Sequence, residues 1–182
     1  MIYITRHGES EYNVTGRIGG DSALTLSGQL YAKRLRAFFQ IQPLVICSNR
    51  KRTRETSGGF TQVTVDENLN EIDAGICEHM TYQEIQQAYP DVSKDREADK
   101  FYYQYPCGES YSAVYLRVKD SINKLKLDRT EPTLLICHQA VARMMLSILL
   151  KRDPVDFVNF DVPLHQLIRI DTDTNHLDFV AP

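Results

Sequence analysis

Two short apolar runs, Met1 to Thr5 and Thr133 to Cys137, lie far apart in the chain, and each is followed directly by chemistry. The first leads into Arg6-His7-Gly8-Glu9-Ser10 and the second into His138-Gln139-Ala140. A continuous apolar run of about five residues reads as a strand buried on both faces, the kind found in parallel sheets. Between them, apolar strand-like runs alternate with helix-like periodicity, so the expected fold is α/β. It would be a three-layer sandwich with a central, mostly parallel sheet covered by helices on both faces. In such sheets ligands gather beyond the carboxyl ends of the strands, so two histidines delivered there by separate strands can meet in one pocket.

The 182 residues, 42% of them hydrophobic, are enough for one domain with a substantial core, and residues 1–182 are expected to form a single domain. Net charge is -3 and the basic residues are dispersed, so no nucleic-acid partner and no membrane surface is expected; any anion site must be local. Neither a bilayer-spanning run nor a signal-peptide pattern occurs, and a cytoplasmic location is the expectation. The cysteines fall at 47, 77, 107 and 137, but their contexts share nothing else and no CxxC occurs, which predicts free thiols rather than a repeat. The Cys77/His79 and Cys137/His138 pairs lack the further ligands of a zinc site, so no metal and no cofactor is expected.

Along the chain, Gly8 to Ser22 reads as a loop and Ser27 to Gln40 as a helix capped by Ser27, with Leu30, Leu35, Phe38 and Phe39 on its apolar face. Leu44 to Cys47 and Val63 to Val65 read as strands. Ser48 opens a helix that ends at Gly58-Gly59. Thr81 to Tyr89 is predicted helical, and the stretch after Pro90 polar and irregular. Residues 69–112 as a whole look like a substrate-covering insertion over the sheet edge. A helix from Gly108 to about Leu127, one from Ala140 to Leu150, and closing strands Gln166 to Asp171 and Leu177 to Val180 complete the pattern.

An isolated histidine at a strand end is explained well enough as a core residue with one hydrogen bond. His7 has more around it: Arg6 beside it, Asn13 six residues on, and the Arg17-Ile18-Gly19-Gly20-Asp21 turn. A neutral imidazole can attack phosphorus if its far nitrogen is protonated and bonded to an acceptor, which the Gly8 region could supply; guanidinium groups match phosphate oxygens. Arg52 starts a helix just after the second strand and is expected at the same rim, whereas Lys51 and Arg54 read as solvated. Glu71, between Leu69 and Ile72, is expected to be partly desolvated, which favours the protonated form a general acid needs.

Residues 2–21, with the words RHGESEYN and GRIGGD, resemble the signature of the histidine phosphatase (phosphoglycerate mutase-like) superfamily. The IGGD turn is similar to that of its fructose-2,6-bisphosphatase branch, the phosphatase half of bifunctional kinase/phosphatase enzymes. KRT at 51–53, LNEIDAG at 69–75, MTYQEIQ at 80–86, YPCGESY at 105–111, ICHQAVAR at 136–143 and PLH at 163–165 are similar too, in order. The resemblance implies that His7 is the phosphorylated nucleophile, with Arg6, Asn13, Arg52 and His138 around the phosphoryl group and Glu71 as proton donor. It implies that Tyr82, Arg96, Lys100, Tyr111, Gln139 and Arg143 hold the rest of a fructose 2,6-bisphosphate, with the backbone at Ile18 and Gly19 approaching it closely. Tyr102, Tyr103 and Tyr105 read as packing residues. Two alternatives stay open: a phosphoglycerate mutase or broad-specificity phosphatase with the same phosphohistidine, and a catalytically silent phosphosugar-binding module. No P-loop is present, which fits either a stand-alone phosphatase or one half of a larger enzyme; oligomeric state is not readable.

Overall fold

A computed structural model describes residues 1–125 and 131–182. Its centre is a six-stranded sheet in the order β3-β2-β4-β1-β5-β6. The strands are β1 (Ile2–Arg6), β2 (Leu44–Cys47), β3 (Val63–Val65), β4 (Thr133–Cys137), β5 (Leu167–Asp171) and β6 (His176–Val180). β1, β2, β3 and β4 run parallel, and β5 and β6 close the sheet antiparallel. Every residue of β4 is buried, which is why its sequence is an unbroken apolar run rather than an alternating one.

Successive residues on a strand face opposite sides, and the core divides accordingly. Ile4, Ile46 and Leu135 join residues of α6 (Tyr111–Lys124) and α7 (Gln139–Leu149) on one face. Val45, Leu134 and Ile136 pack on the other face with Tyr31 and Leu35 of α2 (Leu26–Phe38). The result is the expected helix, sheet and helix layering.

The helix boundaries differ from expectation in instructive places. α2 is capped by Thr25, whose hydroxyl accepts the Gly28 N–H at 3.1 Å; Ser27 lies inside the helix. Tyr31 packs against the sheet, and Leu30, read on the apolar face, is 60% exposed. The Gly8 to Ser22 loop contains a short helix, α1 (Glu11–Thr15), held by a capping box between Ser10 and Asn13. α3 (Lys51–Ser57) begins after Ser48, and α4 (Tyr82–Ala88) is capped by Thr81. Pro90 starts a helix, α5 (Pro90–Ala98), because at the first helical position its missing N–H costs nothing. The expected end of α6 at Leu127 falls outside the described residues. Among the described residues no helix is long and apolar enough to cross a membrane. All four cysteines are unpaired, three of them buried.

Residues 69–112 have a small apolar cluster of their own, built on Ala74, Cys77, Ile85, Val92 and Tyr105. Ile18 exchanges backbone hydrogen bonds with Met80 and His79 (2.9 and 3.0 Å), and Glu71 reaches the start of α7, so the segment faces the carboxyl ends of the central strands β1 and β4.

Candidate active site

β1 and β4 are adjacent, parallel and in register, with Arg6 opposite Cys137; the ladder extends by one bond, His7 N–H to Cys137 O, 3.0 Å. The next residues on the two strands are His7 and His138, whose ring centroids are 5.2 Å apart. The sheet therefore brings together the two histidines that the sequence separates by 131 positions.

His7 Nδ1 is 2.7 Å from the Gly8 carbonyl, an atom that only accepts, so that nitrogen carries the proton. Nε2 keeps its lone pair and accepts from Arg52 Nε at 3.1 Å. Burial, and then the Arg52 and Arg6 guanidinium groups, hold the imidazole well below the ordinary histidine range, hence neutral. Arg52 is fixed by a second bond, Nη1 to Gly20 O at 2.8 Å, and Arg6 by Nη1 to Val162 O at 2.9 Å. Burial lowers the pKa of both arginines. His138 is completely buried, behind the cleft surface rather than on it, and is likewise kept neutral, first by burial and then by Arg52. Its Nε2 lies 2.7 Å from Ser48 Oγ.

Asn13 lines the cleft beside His7. Its Oδ1 is taken by the Ser10 N–H and hydroxyl at 2.9 and 3.0 Å, which turns its amide NH2 into the group left to donate. Glu71 also lines the cleft, but its setting is not the apolar one expected from Leu69 and Ile72. Its oxygens accept the backbone N–H groups of Gln139, Ala140 and Ile72, each at 3.1 Å, so the carboxyl is held at the N-terminus of α7.

Ile18 and Gly19 line the cleft as expected, and the turn by itself already requires glycine. Gly19 and Gly20 have φ of +68° and +57°, and a Cβ on Gly19 would lie 2.2 Å from the Glu78 carboxylate. Glu78 accepts Gly20 N–H at 2.6 Å and Ala74 N–H at 2.9 Å, pinning the turn to the 69–112 segment. Sequence reasoning missed Glu78, since a single acidic residue serving two loop amides has no periodic signature.

The remaining expected residues split into two sets. Tyr82, Arg96, Tyr111 and Gln139 line the cleft. Lys100 and Arg143 are not among the lining residues; Arg143 is buried and Lys100 half-buried. Arg143 donates through Nη1 to the Tyr111 hydroxyl and through Nε to Phe160 O, both 2.8 Å, and Lys100 Nζ donates to Asn159 Oδ1 at 2.7 Å. Burial, then Arg143 and Arg96, push the Lys100 ammonium down to about 8. The Arg96 guanidinium lies over the rings of Tyr82 and Tyr105, 5.7 and 5.4 Å from their centroids. Tyr105 is a buried packing residue, as read from the sequence, and it also borders the cleft, which was not foreseen.

Comparison with known proteins agrees with this geometry. The histidine phosphatase superfamily (branch 1) matches residues 2–181. The 6-phosphofructo-2-kinase/fructose-2,6-bisphosphatase of Caenorhabditis elegans is 41% identical over 97% of this chain and 40% of its own length. The human 6-phosphofructo-2-kinase/fructose-2,6-bisphosphatase 1 is 43% identical over 93% of this chain and 36% of its own length. The chain thus spans well under half of these curated relatives. Among solved structures, a putative alpha-ribazole-5'-P phosphatase from Escherichia coli superposes with a TM-score of 0.83 at 22% identity, covering 99% of this chain and 94% of its own. At that identity the likeness speaks for the fold.

Proposed function

The chain belongs to the histidine phosphatase superfamily, and on that footing we propose that it hydrolyses the C2 phosphate of fructose 2,6-bisphosphate to fructose 6-phosphate and phosphate. Residues 1–182 act as one catalytic domain in which the segment at about 69–112 covers the sugar. His7 Nε2 attacks phosphorus in line. Arg52 exchanges its hydrogen bond to His7 for one to a phosphoryl oxygen, and Arg6, Asn13 and His138 share the remaining equatorial charge. Glu71 protonates the departing sugar oxygen, then takes a proton from the water that hydrolyses the phosphohistidine.

One observation carries the choice of a bisphosphate. Lys100 Nζ lies 6.0 Å from the Tyr111 ring centre, Arg143 holds the Tyr111 hydroxyl at 2.8 Å, Arg96 lies over Tyr105 at 5.4 Å, and among the described residues none of the three has a carboxylate ion-pair partner. Gathering three cations around one spot is unfavourable unless an anion completes the set. A phosphate held there by Arg96, Lys100 and, through Tyr111, Arg143 would be the one that is not transferred. Tyr82, Gln139 and the Ile18-Gly19 backbone then face the sugar, and binding energy from these remote groups positions the reacting phosphoryl.

Phosphate release from fructose 2,6-bisphosphate, fructose 6-phosphate, 3-phosphoglycerate and p-nitrophenyl phosphate tests the assignment. The bisphosphate should have the highest kcat/KM by a wide margin. Equal values for bisphosphate and monophosphates would reduce the reading to a generic phosphatase, and phosphoryl transfer between carbons of phosphoglycerate would favour a mutase.

A further inference from the structure

Behind His138 lies a pair of hydroxyls that the reaction just described does not use. Ser48, directly after β2, and Thr53, in α3, are both fully buried. Ser48 Oγ is 2.7 Å from Thr53 Oγ1 and 2.7 Å from His138 Nε2. The Thr53 hydroxyl also meets the carbonyls of Arg50 at 2.7 Å and Ser48 at 3.0 Å, and carbonyls only accept.

A hydroxyl has one proton to give. With the Thr53 proton on the carbonyls, the proton between the two oxygens is that of Ser48, and the proton between Ser48 and the ring sits on His138 Nε2. Ser48 Oγ then accepts from Nε2 and, at 3.2 Å, from the Arg50 N–H, which fills its capacity. The neutral ring is left with a bare Nδ1. That nitrogen is buried and has no hydrogen-bond partner among the described residues. A lone pair buried without a donor is costly, and such atoms are found where a ligand completes them.

We propose that Ser48 and Thr53 are positioning residues that fix His138 as its Nε2–H tautomer, reserving Nδ1 to take up a proton as the phosphoryl group enters. The inference rests on the phosphoryl-site reading above. The proton comes from the substrate itself, since a phosphate monoester with a second pKa of about 6 still holds an acidic proton in part of its population near neutrality. The monoanion loses that proton from oxygen, Nδ1 gains it, and the net charge of the pair is unchanged. The site then contains a phosphoryl dianion facing an imidazolium whose Nδ1–H donates to it while Nε2–H stays on Ser48. Burial and the nearby arginines keep the ring neutral until that anion arrives.

Nitrogen-15 NMR of protein labelled at histidine reads the tautomer directly, with the His138 signals identified by their loss in His138→Gln. In the free protein Nε2 should show the shift of a protonated nitrogen and Nδ1 that of a bare one. Saturating inorganic phosphate should move Nδ1 to a protonated shift. Ser48→Ala should yield a mixed tautomer and lower kcat ~10- to 100-fold with little change in KM, less than the ~10²- to 10³-fold typical of removing a direct donor. The near-isosteric Thr53→Val should do the same, and carries the test if Ser48→Ala fails to fold; Thr53→Ser, which keeps the hydroxyl, should restore the wild-type pattern. An Nδ1–H tautomer in the free wild type, or an unchanged pattern in Ser48→Ala and Thr53→Val, overturns the proposal. If phosphate moves neither the His7 nor the His138 signals, the phosphoryl-site reading falls and takes the proton uptake with it, which is a different result from the wrong resting tautomer.

Discussion

Arg52 Nε donates to His7 Nε2 across 3.1 Å, so the lone pair that would attack phosphorus is formed and aimed before any substrate is present. The other ring nitrogen is committed to Gly8 O, and no further tautomer change stands between the resting protein and the attack. On the proposed function Arg52 would have two tasks in sequence, first on His7 and then on the phosphoryl oxygens.

Replacing Arg52 by Ala should lower kcat by ~10²- to 10³-fold, the usual loss for one preorganised donor. Arg52→Lys should restore little of it, because an ammonium lacks the rigid fork that bonds His7 and Gly20 O together. Steady-state kinetics decides: a rise in KM at unchanged kcat would restrict Arg52 to binding.

Glu71 should matter according to the leaving group. A sugar alkoxide needs a proton as it departs and a nitrophenolate does not, so Glu71→Gln should cost ~10²- to 10⁴-fold in kcat on the sugar phosphate and far less on p-nitrophenyl phosphate. Equal losses on both would assign Glu71 to holding the start of α7 through the Gln139 and Ala140 amides instead.

Lys100, with a pKa lowered to about 8, is charged below that pH and neutral above it. KM for the bisphosphate should therefore rise as pH passes from about 7 to about 9, while KM for small monophosphates stays level. Lys100→Arg should flatten the profile, since a guanidinium does not titrate there. A bisphosphate KM that is flat across this range in the wild type would remove Lys100 from substrate binding.

His7 and His138 also shape stability. Both pKa values are depressed in the folded protein, so below the ordinary value of 6.5 the unfolded chain binds protons that the folded one refuses. Their contribution is full above about pH 6.5 and falls as pH drops towards the folded values, with a limiting slope of ~1.4 kcal/mol per pH unit for each histidine. Denaturant titrations at stepped pH values should show this slope in the wild type and a shallower one in His7→Gln/His138→Gln.

The framework of this site was legible in the sequence because it rests on strong signals. β1 and β4 grow from short apolar runs, and a histidine follows each directly, so both their burial and their shared destination could be read. Boundaries were lost where two local rules compete. Thr25 and Ser27 can both cap α2, and only packing of Tyr31 against the sheet decides between them. Pro90 signals a break and also a favoured first helical position, and α5 took the second. What stayed hidden was the traffic of side-chain hydrogen bonds: Glu78 on the Gly20 and Ala74 amides, Glu71 on those of Gln139 and Ala140, and Ser48 on the His138 ring. All but the Glu78–Ala74 bond join residues tens of positions apart, and none leaves a pattern in a linear string.

The small apolar cluster within residues 69–112 has a consequence for how such a protein can change. Arg6, His7 and His138 are anchored at the ends of β1 and β4, whereas Tyr82, Arg96 and Tyr105 ride on a segment that joins the main core through Leu69, Ile72, Phe101 and Tyr111 and the loop after β1 through Glu78 and the Ile18 bonds to Met80 and His79. On the proposed function, exposed side chains of this segment can be changed to fit a different ester without disturbing the paired strands that set the 5.2 Å between the two imidazoles.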